Sequence, residues 1–337
     1  MSQAGSLKID IFNHILPIKY KQALDEIAPG HLQQAANSAL PTLWDLDHRF
    51  RIMDKYGVMQ VLTLSRPPIE EVISDPKKAL DLTKLANEEM AELVIKYPQM
   101  FPAAVAAVAL NDIDGSLKEL ERAIVDLKFR GVQIYSHANH KPLDSPEFEP
   151  LFEMMSRYNL PIWIHPTTGI TYRDYKGESE SKYMVSGTFG WPYETTVAMN
   201  RLVFSGILKR WPDLKVITHH SGGMVPYYEQ RITAFHDQRE MIHRSKDKVG
   251  LTKAPIGYYK MFYADTAIYG NTPALMLAHA FFGADHLLFG TDFPFAGHYG
   301  ERVTRQTIAA IEAMDISDME KGKIFEDNAR SLMRLPV

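Results

Sequence analysis

Four polar side chains in this sequence stand where short apolar runs end. Asp10-Ile11-Phe12-Asn13-His14 closes an N-terminal run, His165 closes Leu-Pro-Ile-Trp-Ile, His220 follows the run 214–218, and Asp292 follows 287–290. Imidazole nitrogens and a carboxylate oxygen at strand ends can converge on one divalent ion. Along an alternating strand Asp10, Phe12 and His14 point to one side, so a His-x-His pair at 12 and 14 would present two imidazoles to the same ion. Phe12 stands where the first imidazole would be, which removes a ligand outright. Asp10 then either supplies a replacement oxygen or orients a neighbouring ligand from behind. His165 is a ligand candidate by its strand-end position. Of the adjacent His219 and His220, alternation sends one into the site, and Gly222 and Gly223 just beyond allow a ligand to approach the backbone closely. Asp292 can bind metal through one oxygen and exchange a proton through the other, or it can cap the next helix.

Eight short apolar runs fit strands buried on both faces: 7–11, 58–65, 101–109, 131–135, 161–165, 214–218, 261–264 and 287–290. Between them the spacing of apolar residues predicts helices over 46–56, 77–96, 115–127, 147–158, 193–209, 225–237, 272–282 and 301–313, and 318–333 reads as one closing helix. Eight strand-helix alternations without a glycine/serine linker predict an α/β protein, a single (β/α)8 TIM barrel domain over 1–337 with inserted loops. The glycine-rich dinucleotide fingerprint follows none of these runs. Three connections, 19–42, 166–192 and 240–260, exceed simple turns. The second leads directly from His165 and carries Tyr172, Arg173, Tyr175, Tyr183, Phe189 and Trp191, an aromatic and cationic wall expected over the site.

Composition sets the outer bounds. The 337 residues suffice for a large core, and a net charge of −4 offers no broad positive field for nucleic acid. There is no cysteine, so disulfides, thiolate metal sites and cysteine nucleophiles are excluded together. No apolar stretch is long enough to span a bilayer, and the start lacks a basic region followed by a sustained apolar segment. These features lead us to expect a cytoplasmic protein with neither membrane nor nucleic-acid partners.

The stretches IDIFNHILP, RFRIMDKYGVMQVL, GVQIYSH, IWIHP, GWPYETT, LKVITHHSGGMVP and LLFGTDFP occur in this order over nearly the whole chain. Together they resemble the decarboxylase-like branch of the amidohydrolase superfamily, the group of aminocarboxymuconate-semialdehyde decarboxylase and the resorcylate-type decarboxylases. The resemblance implies a metal-dependent barrel in which His14, His165 and Asp292 ligate a divalent ion, zinc or manganese, with Asp10 as the candidate fourth ligand. It implies that His220 is a general acid/base and His219 a structural neighbour. Phe12 departs from the pattern, which has histidine or, in some members, glutamate there. The metal is therefore expected to be weakened or absent, and a metal-free relative working through His220 and Asp292 is the corresponding alternative.

An arginine that grips a substrate carboxylate in such enzymes matches Arg49 or Arg51. These point roughly 200° apart on a helix and cannot easily serve one site. Arg51 is carried forward as the substrate-binding candidate, with Arg66, after the second run, as an independent one. His137, Phe189 and Trp191 complete the expected substrate contacts, while Glu194 is a helix-start carboxylate. The reaction implied is non-oxidative decarboxylation of an aromatic or conjugated hydroxy, amino or oxo carboxylic acid, with His220 and Asp292 catalytic. Its rival is hydrolysis of a cyclic ester, lactone or amide through a metal-bound water. A homodimer is also implied, although apolar helical faces could equally be barrel packing.

Overall fold

The computed structural model describes residues 7–31, 33–168, 172–242 and 250–335. Its eight barrel strands each span two to four residues: β1 (Lys8–Asp10), β2 (Val58–Gln60), β3 (Ala106–Ala107), β4 (Val132–Tyr135), β5 (Ile162–His165), β6 (Val216–Thr218), β7 (Tyr263–Asp265) and β8 (Leu287–Leu288). Nearly every residue in them is buried, as expected for strands covered by helices outside and filled by side chains inside. Strands β3 to β8 form one sheet in chain order. Val132 and Val216 both pair with Ile162, and Tyr135 pairs with His165. Lys8 pairs with Val58, and Leu62 bridges Ala104. The Ile11 amide donates to the Phe289 carbonyl at 2.9 Å and Asn13 bridges Phe293, so the last strand returns to the first and the (β/α)8 barrel closes.

Ile9, Ile11, Val61, Val105, Trp163, Ile217 and Leu288 share one buried cluster. The Trp163 indole crosses it to donate to the Ile11 carbonyl at 3.0 Å, which satisfies a polar atom that would otherwise be stranded among apolar ones. Around the barrel lie α1 (Leu46–Tyr56), α2 (Pro76–Lys96), α3 (Ile113–Val125), α4 (Glu149–Tyr158), α5 (Trp191–Phe204), α6 (Glu229–Ile242), α7 (Thr272–Phe282) and α8 (Glu301–Glu312). Capping explains several starts: Asp45, Asp75 and Asp112 accept amide protons from the first turns of α1, α2 and α3. Gly57, at φ 62°, ends α1 in the left-handed conformation that suits glycine.

Four details differ from the sequence reading. The connection 19–42 contains two helices, Ile18–Ile27 and Gln34–Ser38, the first started by the Glu89 carboxylate, which accepts the Lys19 and Tyr20 amides. The helix expected over 193–209 breaks after Phe204 where Gly206 takes φ 79°, then resumes as Ile207–Arg210. The closing helix is interrupted by a wider turn, Lys323–Asp327. Finally, α6 has no fully buried residue; Ile232 packs partly against the core and His236 stacks on Phe204, while Phe235, Met241 and Ile242 remain exposed. Residues 169–171 and 243–249, in the second and third long connections, lie outside those described.

Candidate active site

The site forms where β1 and β8 meet. The Phe12 carbonyl accepts the amides of Thr291 and Asp292, the latter at 2.8 Å, which sets Asp292 beside the segment carrying His14. His14 Nε2 lies 3.2 Å from Asp292 Oδ1. On the other oxygen, Tyr269 donates its hydroxyl to Oδ2 at 2.6 Å, and His220 Nε2 stands 3.9 Å away. That last distance is too long for a hydrogen bond, so His220 acts on Asp292 through charge. His165, at the end of β5, places its ring 5.2 Å from that of His14 and points Nδ1 at its own neighbour's carbonyl, Pro166, at 2.7 Å.

Asp10 is not on the face of Phe12 and His14. Its carboxylate accepts the amide of Phe12 at 3.1 Å, a local turn in which the side chain imitates a backbone acceptor two residues on. The turn breaks the alternation after β1, so that Phe12 joins Ile9 and Ile11 in the barrel cluster. Both Asp10 oxygens are occupied, by the Thr291 amide and hydroxyl and by Phe12 and Gln60. The expectation of Asp10 as a substitute ligand is thus corrected to a buried anchor of the β1–β8 seam. Alternation also fails at the end of β6, where His219 is extended but His220 has φ 55°. Both imidazoles consequently border Phe12: His219 stacks on it at 3.6 Å and 15°, and His220 meets it edge-on at 5.8 Å. His219 is held by Asp265 at 2.7 Å.

Of the substrate-binding candidates, Trp191 and Arg66 reach the site. The Trp191 ring is 6.0 Å from His165 and 6.2 Å from His220, and the Arg66 guanidinium lies over it at 4.1 Å. Arg51 is exposed and is corrected to a surface residue. Its neighbour Arg49 is fully buried but structural, donating to Asn13 Oδ1, Gln60 Oε1 and the His14 carbonyl. Phe189 is 63% exposed in the turn before α5, and of the aromatic wall Trp191 is the member seen against the site imidazoles, with Arg66 over it. His137 sits further out, 3.6 Å from Glu71 and stacked on His140; burial pushes its pKa down to about 4.

Tyr269 and Asp265 were not among the sequence candidates, nor were Tyr135 and Phe295, whose rings lie 5.3 Å from His165 and His14. Tyr269 follows β7 in the loop before Gly270, and Asp265 ends β7 itself. The signal for both was position alone, because residues at the C-terminal ends of barrel strands and in the following loops line the site.

Electrostatically the cluster is a buried anion among imidazoles. Burial alone would raise the Asp292 pKa, yet His14 and His220 hold it well below the usual carboxylate range. Burial likewise depresses His220, but the negative charge of Asp292 outweighs it and leaves its pKa raised. His14 and His165 are lowered, chiefly by burial. This is a geometry for holding and delivering a proton beside one cation, Arg66.

The family is decided by the chain's match to the amidohydrolase model over residues 9–335. The protein belongs to the amidohydrolase family. Its relatives include the gamma-resorcylate decarboxylase of Polaromonas sp., 30% identical over 86% of this chain and 87% of that protein. The crystal structure of a 2,6-dihydroxybenzoate decarboxylase with 2,6-dihydroxybenzoate superposes with a TM-score of 0.82 at 27% identity, covering 98% of this chain and 100% of that one. The 5-carboxyvanillate decarboxylase of Novosphingobium aromaticivorans, solved with manganese and 4-hydroxy-3-methoxy-5-nitrobenzoic acid, has a TM-score of 0.84 at 25% identity over 99% and 98% of the two chains.

The amidohydrolase's own donors do not match the manganese of that relative. His14 Nε2 is turned onto Asp292, both Asp292 oxygens are engaged, and Phe12 presents only carbon. Among the described residues no group of three or more His, Cys, Asp or Glu side chains could hold a metal ion. The residues present do not fit a tightly held divalent ion.

Proposed function

We propose that this amidohydrolase is a non-oxidative decarboxylase of a hydroxy-substituted aromatic carboxylic acid. The observation that carries the reading is the pairing at one barrel mouth of a carboxylate-binding cation lying on an aromatic face, Arg66 on Trp191, with a proton-holding cluster, His220–Asp292–His14. The decarboxylase names of the relatives support it.

In this reading the substrate ring lies along Trp191 and its carboxylate meets Arg66. His220, kept protonated by Asp292, delivers its proton to the ring carbon that bears the carboxylate. The ring hydroxyl supplies electron density to that step. The carbon–carboxylate bond then breaks, carbon dioxide leaves, and the bonding pair returns to the ring and restores aromaticity. His220 recovers a proton from solvent, so the net change consumes one proton per carbon dioxide released. Asp292 remains an anion throughout, and the Tyr269 hydroxyl fixes its orientation.

The test is carbon dioxide release from a panel of hydroxybenzoates, run beside lactones and cyclic amides. Decarboxylation of at least one ortho-hydroxy acid with none of the hydrolase substrates consumed is expected. Turnover of lactones alone would replace this reading with the hydrolytic one.

We also propose that the protein is cytoplasmic and works as a homodimer. Support for the dimer comes from α6, which carries Phe235, Met241 and Ile242 at 55%, 69% and 59% exposure. Beside it a groove of about 550 Å³ runs between α5 and α6 past Phe204, Tyr228 and Ile232. A second copy would cover this apolar face. Light scattering should give twice the chain mass and fall to one chain in Phe235→Glu; a monomeric wild type contradicts it. Among the described residues no helix is long and apolar enough to cross a membrane.

A further inference from the structure

We propose that this chain has exchanged a resident divalent ion for a guanidinium: it holds no metal at the barrel mouth, and Arg66 supplies the positive charge that grips the substrate carboxylate. The inference rests on the decarboxylase reading for the carboxylate, but its first half stands on the donor set alone.

Phe12 is not a bystander that could swing aside for an ion. Its ring is fully buried, stacks on His219 at 3.6 Å and abuts both His14, at 4.9 Å between ring centres, and His165, at 5.7 Å. His219 is itself pinned by Asp265 at 2.7 Å. The phenyl ring therefore occupies the space between the imidazoles that an ion would need to share, and contributes no lone pair. The remaining carboxylate is not idle either. An ion held by His14 Nε2 and Asp292 would have to break the contact between them, and Phe12 leaves the His-x-His pair one nitrogen short.

A metal-free mouth still needs a cation, because a benzoate brought beside the Asp292 anion would be repelled. Arg66 meets that need. It is half-buried, lies over Trp191 at 4.1 Å, and donates to Gln33 at 3.2 Å. A guanidinium has five N–H donors in a planar fork that matches a carboxylate. With the guanidinium over the indole and one nitrogen donating to Gln33, its other N–H donors can meet an acid whose ring extends along Trp191. Arg49, the buried arginine near β1, cannot take this role since its donors are spent on Asn13, Gln60 and the His14 carbonyl.

Two measurements without turnover test the exchange. Elemental analysis and calorimetry with Mn²⁺ and Zn²⁺ are run on wild type and Phe12→His. Calorimetric binding of 2,6-dihydroxybenzoate is run in chelator on wild type, Arg66→Gln and Arg66→Lys. We expect wild type to hold no ion and Phe12→His to gain one per chain, since an imidazole at position 12 restores the missing nitrogen. Chelated wild type should bind the probe, Arg66→Gln should bind it about tenfold to a hundredfold more weakly, as loss of a charged hydrogen-bonded pair implies, and Arg66→Lys should fall between. An ion in wild type that disappears in His14→Ala overturns the proposal. So does a folded Phe12→His that takes no ion, or an Arg66→Gln that binds the probe as well as wild type. A protein that passes both tests yet decarboxylates nothing would count against the proposed reaction alone.

Discussion

Two sides of the barrel mouth are built to different standards. On the β1–β8 side, Asp10 accepts from Thr291, Phe12 and Gln60, while Asp292 is engaged by His14 and Tyr269, and all these groups but Tyr269 are buried. On the β5–α5 side, Tyr175, Tyr183 and Phe189 are 75%, 94% and 63% exposed, while Trp191 with Arg66 turns inward. The contrast assigns proton chemistry to a locked seam, where fixed geometry keeps charge aligned.

The largest effect should come from the seam. Asp292→Asn removes the charge that keeps His220 protonated, and kcat should fall about 10²- to 10⁴-fold. The pH profile of that variant carries more information than its rate. In the proposed mechanism the active form of His220 is the imidazolium, whose pKa is raised in wild type, so activity should be retained on the acid side and lost as pH rises through it. Without Asp292 the raising charge is gone, and the alkaline limb of the residual activity should move to lower pH. A limb that stays in place would remove His220 from the proton step.

Tyr269→Phe should cost less, about 10- to 100-fold in kcat, because it deletes one hydrogen bond to a carboxylate and leaves the charge. An unchanged kcat would make that contact incidental. Smaller still for activity, but readable in stability, is Asp10→Asn. Burial raises Asp10 from 3.8 to about 7, so the folded state holds its proton where the unfolded state has lost it. The stability contributed by that proton is complete on the acid side of 3.8 and is lost as pH rises through about 7. The cost of Asp10→Asn in denaturant melts should therefore shrink between pH 5 and pH 8; a cost that grows would mean Asp10 is ionised in the fold. At the bottom of the scale, Phe189→Ala on the loose side should change kcat/KM less than about twofold, as an exposed substitution far from reacting atoms does.

The same division governs how much could be read from the sequence. The barrel was legible because its strands are short apolar runs and α1 and α7 span 46–56 and 272–282 as their apolar spacing predicts. His14, His165, His220 and Asp292 were legible as a group because strand ends of a barrel converge. Asp10 was assigned to the wrong face since period-two reasoning holds only while the strand continues, and the Asp10–Phe12 turn ends it one residue earlier. Phe189 lies in a wider turn, Ser186–Gly190, that apolar spacing does not signal, and there it is exposed. Tyr269 belongs to no pattern, and only the three-dimensional course of its loop brings it to Asp292.

The central claim is that His220 and Asp292 put a proton on the carbon that loses its carboxylate. Incubating the enzyme with 2,6-dihydroxybenzoate in D₂O and reading the product by NMR tests it directly. The account predicts one deuterium, at the vacated ring carbon only, formed in step with carbon dioxide and nearly abolished in Asp292→Asn. Carbon dioxide release that is as fast in Asp292→Asn as in wild type would contradict it.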